Sequence, residues 1–351
     1  MGAPKTMSTA RRRRVTAQDV ADLAGVSRNA VSRAFNGGYR LRASTVERIM
    51  DAADQLGWRP NMAARAIKGS PAHAIGFILK REPDLLGADP FFPLFLAGLE
   101  RVLSEQAYAL TIRFVSDETE EELCYRDWRA ERTVDAFIVA DLRDDDPRFG
   151  LLDEIGASAI VIGDPPGEVE LPAVFHDSDE SIRDAIDGWI ARGHTRIGHV
   201  MGDPALEHAR RRRNIWAGVL ERHGLRSDLL AVGGFTELGA EDATREILAV
   251  AEPPTAVFYA NDVMAAAGMR TIAEAGLRVG EQVAVFGFDG IPLAPYLAPP
   301  LATIACDYVE LGEIAGRMLL AGLEAETVAP VQRTLPARFV QRASYGIDPQ
   351  R

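Results

Sequence analysis

From His73 onward, short apolar runs alternate with helix-patterned stretches, and this alternation constrains the fold more tightly than any other feature of the chain. The runs are Ile75-Gly-Phe-Ile-Leu79, Ala109-Leu-Thr-Ile-Arg113, Ala136-Phe-Ile-Val139, Ala159-Ile-Val-Ile162, Arg196-Ile-Gly-His-Val200, Ala256-Val-Phe-Tyr259 and Val283-Ala-Val-Phe286. Each has the length of a strand. Residues 92–106 and 181–191, lying between such runs, have helical spacing. Strand–helix alternation of this kind predicts a doubly wound α/β fold with parallel sheets, and the body is long enough for two lobes. In such folds ligands bind beyond the carboxyl ends of the strands.

The 351-residue chain carries a net charge of −12, which hides a sharp division. Residues 1–70 hold 13 Lys and Arg against 5 Asp and Glu, leaving 26 basic and 46 acidic residues in the other 281. A basic head attracts a polyanion and releases its counterions, whereas an acidic body repels one. Apolar residues at 47% and charged residues at 26% exclude a disordered or collagen-like chain. No stretch approaches the roughly 18 apolar residues of a membrane span. The basic segment 1–14 leads into no apolar region of the secretory kind, so a cytoplasmic protein is expected. Cys124 and Cys306 form no C-x-x-C pair and read as two reduced thiols.

Residues 15–57 read as three short helices. Thr16 caps the first with Asp19 three residues on, and Val20 and Leu23 face inward. Gly25 breaks the pattern, Ser27 caps the second helix, and Val31 with Phe35 continues the buried face. Ser44-Thr-Val-Glu47 reads as a capping box opening a third helix, whose stripe is Ile49, Ala52, Ala53 and Leu56. Small Ala21 at the crossing and Gly25 in the turn give helix-turn-helix spacing. Arg28 and Asn29 project from the first turn of the second helix, the end that enters a major groove. Arg bonds guanine bidentately and Asn bonds adenine. Ser27 and Ser32 suit phosphates or capping, Thr16 and Arg33 suit either task, and Arg11 to Arg14 reads equally as a DNA-binding or a solvated tail.

The string Val15-Thr-Ala-Gln-Asp-Val-Ala-Asp-Leu-Ala-Gly-Val-Ser-Arg-Asn-Ala-Val-Ser-Arg-Ala-Phe-Asn36 closely resembles the headpiece of the lactose-repressor-type (LacI/GalR) transcription regulators. Trp58-Arg-Pro-Asn61 and Ala63-Ala-Arg-Ala-Ile-Lys68 resemble that family's hinge helix. In the body, Asp89-Pro-Phe-Phe, Val134-Asp-Ala-Phe-Ile138, Gly193-His-Thr-Arg-Ile-Gly198, Ala260-Asn-Asp262, Phe286-Gly-Phe-Asp289 and Pro299-Pro-Leu-Ala-Thr-Ile304 match in order and spacing. The resemblance implies a small all-α helix-turn-helix head on a two-lobed α/β body of the periplasmic-binding-protein type with parallel sheets. It divides the chain into a basic tail (1–14), a DNA-binding domain (15–60), a hinge and linker (61–72) and an effector-binding and dimerisation domain (73–346). Its N-lobe spans about 74–192 plus 305–327, and its C-lobe about 193–304 plus 328–346. Asn61 to Lys68 is too short for a stable isolated helix, so it is expected to form only on DNA. Ile67 stands where the family has its minor-groove leucine, followed by Lys68.

For the cleft, the resemblance places the main ligand arginine at Arg212, although four consecutive arginines allow the register to slip. Asp289 and Asn261 follow strands and offer hydrogen-bonding groups, and Phe91, Phe92 and Phe235 suit stacking on a sugar or a place in the core. Asp262 is expected to cap the next helix. The expected partners are double-stranded operator DNA, a small-molecule effector that is a sugar, and a second copy of the chain, with no cofactor, metal or membrane. The dimer surface is expected on the helix at 93–103, where Leu94, Leu96 and Leu99 exceed one buried stripe; a helix buried on two sides within one chain is the rival account. With Gly346 and Pro349 and no heptad repeat near the end, a dimer rather than a tetramer is expected.

Enzymatic motifs are absent: no G-x-S-x-G elbow, phosphate-binding loop, G-x-G-x-x-G or H-E-x-x-H. His194 and His199 lack companions for a metal site, and in His176-Asp177-Ser178 adjacent side chains point apart. The expected function is therefore a ligand-responsive transcription repressor and not an enzyme. A sugar-transport-type binding protein without a regulatory role remains the rival, and a purine or nucleoside the alternative effector.

Overall fold

The computed structural model describes residues 15–35, 41–58, 71–81, 83, 87, 89–165, 167, 169–325 and 331–346. The hinge residues Asn61, Ile67 and Lys68 and the basic tail lie outside these. The chain divides into two units, Met1–Ala72 and His73–Arg351.

The first unit contains α1 (Ala17–Ala24), α2 (Arg28–Phe35) and α3 (Ala43–Gln55). Thr16 opens α1 with the expected reciprocal cap: its amide and hydroxyl donate to the Asp19 carboxylate at 2.8 and 2.7 Å, and its oxygen accepts from the Asp19 amide. Gly25 closes the helix at φ +64°, a conformation that a Cβ resists. The Ser27 hydroxyl accepts from the Ala30 amide at 3.2 Å. The Ser44–Glu47 box does not form, because α3 starts at Ala43 behind Arg42, with no side-chain cap. Val20, Ala21, Val31, Ile49, Ala52 and Ala53 are buried together, and Phe35 meets Trp58 edge-on at 5.3 Å. Leu23, expected to face inward, is half exposed, since Val20, Ala21 and Ala24 occupy the packed face of α1.

The second unit holds two six-stranded sheets. The N-lobe contains β1 (Ala74–Leu79), β2 (Ala109–Phe114), β3 (Ala136–Val139), β4 (Ser158–Ile162), β5 (Ala173–Asp177) and β11 (Gln332–Pro336). Their order is β11-β5-β4-β3-β1-β2, all parallel. Its helices are α4 (Phe91–Glu105), α5 (Glu118–Ala130), α6 (Pro147–Glu154) and α11 (Tyr308–Glu324). The C-lobe contains β6 (Ile197–Met201), β7 (Leu230–Val232), β8 (Ala256–Tyr259), β9 (Ala284–Asp289), β10 (Ala302–Ala305) and β12 (Arg338–Val340), in the order β12-β10-β9-β8-β6-β7. Its strands run parallel as expected, except that the edge strand β12 runs antiparallel to β10. The C-lobe helices are α7 (Asp179–Ala191), α8 (Glu207–Arg222), α9 (Glu237–Leu248) and α10 (Asp262–Glu274).

Both lobe boundaries differ from the expected ones. Helix α7, assigned to the N-lobe, belongs to the C-lobe: Ile182, Ala185, Ile186 and Trp189 are buried with Trp216, Phe286 and Tyr345. The Trp189 indole donates to the Tyr345 carbonyl at 3.0 Å, which fixes the helix there. Conversely β11, assigned to the C-lobe, pairs with β5 from Gln332↔Ala173 to Pro336↔Asp177 in the N-lobe sheet. The chain therefore crosses between lobes after Asp177, after Ala305 and after Pro336.

Helix α4, where the dimer surface is expected, packs two of its faces inside its own chain. Phe92, Phe95, Leu99 and Leu103 bury into the N-lobe core, and the helix lies close against α11. A Cβ on Gly98 would come within 1.9 Å of the Val309 carbonyl oxygen, and one on Gly312 within 2.1 Å of that of Phe95. Leu94 and Leu96 are half-buried in the same cluster, while Pro93, Ala97, Glu100, Arg101 and Ser104 take the outer face. The helix is buried on two sides within one chain.

Candidate functional site

A cavity of about 150 Å³ lies between the lobes. Its wall is built from residues that directly follow strands: Arg81 after β1, Ala140 and Asp141 after β3, Gly163 and Asp164 after β4, Asn261 after β8, and Asp289 ending β9. Several parallel strands of both sheets end at this cavity, so short sequence steps deliver side chains from distant segments to one place.

The N-lobe wall is an internally satisfied ion cluster. Arg81 binds Asp141 bidentately at 2.5 and 2.7 Å and reaches Asp89 at 3.2 Å. Its guanidinium lies 5.2 Å from the Phe92 ring centroid. Burial alone would raise the Asp141 pKa, but Arg81 holds it below the usual carboxylate range. Asp89 goes the other way, since burial outweighs its more distant pairing with Arg81.

The C-lobe wall is less satisfied. Arg212 lies over the Phe288 ring at 3.5 Å and donates to the Ala260 carbonyl at 2.6 Å. Asp289 accepts from the Tyr308 hydroxyl at 2.6 Å through Oδ1, a bond from one lobe to the other, while its buried Oδ2 has no hydrogen-bond partner. Burial, and next the neighbouring Asp262, push the Asp289 pKa well above the usual range. Asp262 itself is raised to about 7 by burial. Phe235 sits at φ +61° with its ring in the space that a side chain on Gly202 would fill, 2.1 Å from an added Cβ. The His208 ring lies 5.2 Å from that of Phe235, and burial lowers its pKa to about 3.

The helix of four arginines spans the mouth. Arg210 pairs with Asp144 at 2.6 Å, and Arg211 with Asp164 and, at 2.8 Å, with Asp179. The amide of Glu207 at the start of α8 donates to the Leu142 carbonyl at 2.7 Å, so the N-lobe satisfies a helix-end donor of the C-lobe.

Of the six expected cleft residues, Phe91, Arg212, Phe235, Asn261 and Asp289 line the cavity. Phe92 does not. It is buried in the core beneath Arg81, and its expected ligand contact is withdrawn. Asn261, not Asp262, caps α10: its carbonyl oxygen accepts from the Met264 amide at 2.8 Å. Asp262 instead turns inward and accepts from the Gly290 and Ile291 amides at 2.9 Å each. The sequence reading missed Arg81, Asp141, His208 and Tyr308. Only their positions just after β1 and β3 and near a crossing signalled the first, second and fourth, and nothing local signalled His208.

In the head, Thr16, Ser27, Arg28, Asn29 and Arg33 are exposed, and Ser32 is half-buried. Arg28, Asn29, Ser32 and Arg33 all lie on α2, behind the capped turn at Ser27. Among the described residues no group of three His, Cys, Asp or Glu side chains has metal-binding geometry, and no helix is long and apolar enough to cross a membrane.

Residues 16–61 match the bacterial regulatory proteins of the lacI family, and residues 186–345 match the periplasmic binding protein-like domain. The HTH-type transcriptional regulator CelR of Thermobifida fusca is 31% identical, over 95% of this chain and 99% of its own. The chain belongs to the lacI family. The regulator is also 29% identical to the HTH-type transcriptional repressor CytR of Escherichia coli (strain K12), over 94% of this chain and 96% of that one. The Lac repressor dimer bound to operator and the anti-inducer ONPF matches with a TM-score of 0.83 at 26% identity, covering 95% of this chain and 99% of that one. A CelR–cellobiose complex matches with a TM-score of 0.72 at 29% identity, covering 94% and 100%. The regulator is thus a DNA-binding transcription factor with a helix-turn-helix head and a two-lobed α/β body, and its relatives are regulators rather than enzymes.

Proposed function

We propose that the protein is a cytoplasmic repressor whose operator affinity is set by a carbohydrate held between the lobes. The observation that carries this reading is the amphipathic lining of the cavity. Phe235 and Phe288 on one lobe and Phe91, Phe175 and Tyr308 on the other line it together with Arg212 and Asp289, whose buried Oδ2 has no hydrogen-bond partner. Aromatic faces suit the apolar faces of a sugar ring, while an arginine and a carboxyl oxygen suit its hydroxyls. The relative in complex with cellobiose points the same way. In this reading Phe91, Arg212, Phe235, Asn261 and Asp289 contact the effector.

Regulation is then a coupling free energy between cleft and DNA. Arg28 and Asn29 read base edges in the operator's major groove, with Thr16, Ser27, Ser32 and Arg33 on the backbone. Asn61, Ile67 and Lys68 form a hinge helix on DNA, with Ile67 in the minor groove. Hydrogen exchange at 61–68 is expected to be fast without operator and slow with it, and protection without DNA contradicts the hinge. Two-fold operators require two heads, so the working unit is a homodimer with a light-scattering mass near twice 38.1 kDa; a stable tetramer refutes it. The deciding experiment for the whole reading is a thermal-shift screen of carbohydrates and nucleosides. An effector at 100 times its Kd adds about 2.7 kcal/mol, and a screen in which only nucleosides stabilise the protein overturns the carbohydrate.

A further inference from the structure

The charges lining the cleft discriminate among saccharides. Three cationic side chains line the cavity, Arg81, Arg211 and Arg212. Arg81 spends its fork on Asp141 and a further nitrogen on Asp89, all three being largely buried. Arg211 is held between Asp164 and Asp179. Of the three, Arg212 alone forms no ion pair among the described residues; it lies over the Phe288 ring at 3.5 Å and lines the cavity together with the buried carboxyl of Asp289. Five acidic side chains line the same cavity, Asp89, Asp141, Asp164, Glu207 and Asp289. Its two histidines, His176 and His208, carry no positive charge near neutral pH, because burial lowers them to about 4 and about 3.

We propose that the cleft selects a neutral, unphosphorylated saccharide and rejects its phosphorylated or carboxylated counterparts. This rests on the reading of the cleft as a carbohydrate site and sharpens it. A phosphate monoester brings a charge of about −1.5 to −2 at pH 7 and three strong acceptor oxygens. To be satisfied in the cavity it must take Arg81 or Arg211 from carboxylates already bonded to them, leaving the largely buried Asp89 and Asp141, or the half-buried Asp164 and Asp179, without their partner. Otherwise it has Arg212 alone to meet that charge, in a cavity that also holds the ionised Asp141. A hydroxyl meets neither obstacle: it accepts from Arg212 and donates to Asp289 Oδ2. The ion pairs on the N-lobe wall thus act against the wrong ligand and need not touch the right one.

The test is calorimetric titration of the full-length protein with matched pairs: cellobiose, maltose and glucose, each against its 6-phosphate. For any sugar that binds, the phosphate is expected to bind at least about 100-fold more weakly, the range a buried unpaired charge commands. A phosphorylated member that binds as tightly as its parent, or more tightly, overturns the neutral selectivity and leaves the carbohydrate reading standing. Failure of every member, neutral and phosphorylated, overturns both. Asp164→Asn and Asp141→Asn supply a second arm, since each releases one arginine from a partner. Either substitution is expected to narrow the neutral-to-phosphate ratio at least tenfold in a protein that still melts cooperatively. An unchanged ratio in both overturns the role of the ion pairs.

Discussion

The arginines of the head and those of the cleft are put to opposite uses. Arg28 and Arg33 stand exposed on α2, in a segment whose first 70 residues carry an excess of eight positive charges. Arg81 and Arg211 are clamped by carboxylates in a body that carries an excess of twenty negative ones. A surface that must meet a polyanion leaves its cations open to solvent, where they attract phosphate at long range and release its counterions. A cavity that must admit one small neutral molecule ties two of its three cations down and leaves Arg212, with Asn261 and the carboxyl of Asp289, to read hydroxyls. The same residue type serves affinity in one place and exclusion in the other, and burial decides which.

The largest effect expected to test this contrast is in the cleft. Arg212→Ala removes the one cavity-lining cation that forms no ion pair among the described residues, so effector affinity is expected to fall by about 2–4 kcal/mol while operator binding persists. Effector titration and gel shift on the same preparation measure the two, and normal effector affinity would assign the ligand to Arg211 or to another site. In the head, Arg28→Ala or Asn29→Ala is expected to weaken operator binding by about 1–3 kcal/mol and relax base preference at one position per half-site, with the effector response intact. Unchanged preference in both would remove α2 from base readout.

A smaller effect concerns the buried acid beside Asp289. Asp262 is raised to about 7 in the fold from an ordinary 3.8, so the folded protein holds this proton more tightly than the unfolded chain. Its contribution to stability is complete below pH 4 and disappears as pH rises through about 7, a slope of at most about 1.4 kcal/mol per pH unit. Thermal melts of wild type and Asp262→Asn from pH 4 to 8 are expected to converge or cross along that slope, and parallel curves would contradict it. Smallest is the head's cap. Thr16→Ala removes the hydroxyl that bonds Asp19 and is expected to lower the head's stability by about 1 kcal/mol, read by denaturant unfolding. No change would mean that the first turn of α1 is held by packing alone.

What could be read along the chain was whatever depends on neighbours in sequence. The cap at Thr16, the turn at Gly25 and the buried Val20, Val31 and Ile49 follow from spacing within a few residues, as does the strand–helix alternation of the body. Arg212 and Asp289 each stand in a local motif, and both line the cavity; of the four arginines Arg212 lies over Phe288 while Arg210 and Arg211 bind acids across the cleft.

The tertiary structure alone decided the rest, because its partners lie far apart in the chain and leave no period to detect. Arg81 and Asp141 are 60 residues apart, and Tyr308 meets Asp289 only because the chain crosses between lobes after Ala305. Nothing in residues 179–191 or 332–336 states which sheet they join. Trp189 finds Tyr345, and Gln332 pairs with Ala173, so each segment settles where its apolar face or open strand edge is satisfied. Local pattern prescribes the kind of element a segment forms, but the choice among distant surfaces of equal apolarity is made by shape and hydrogen bonding, which exist only once the lobes are packed.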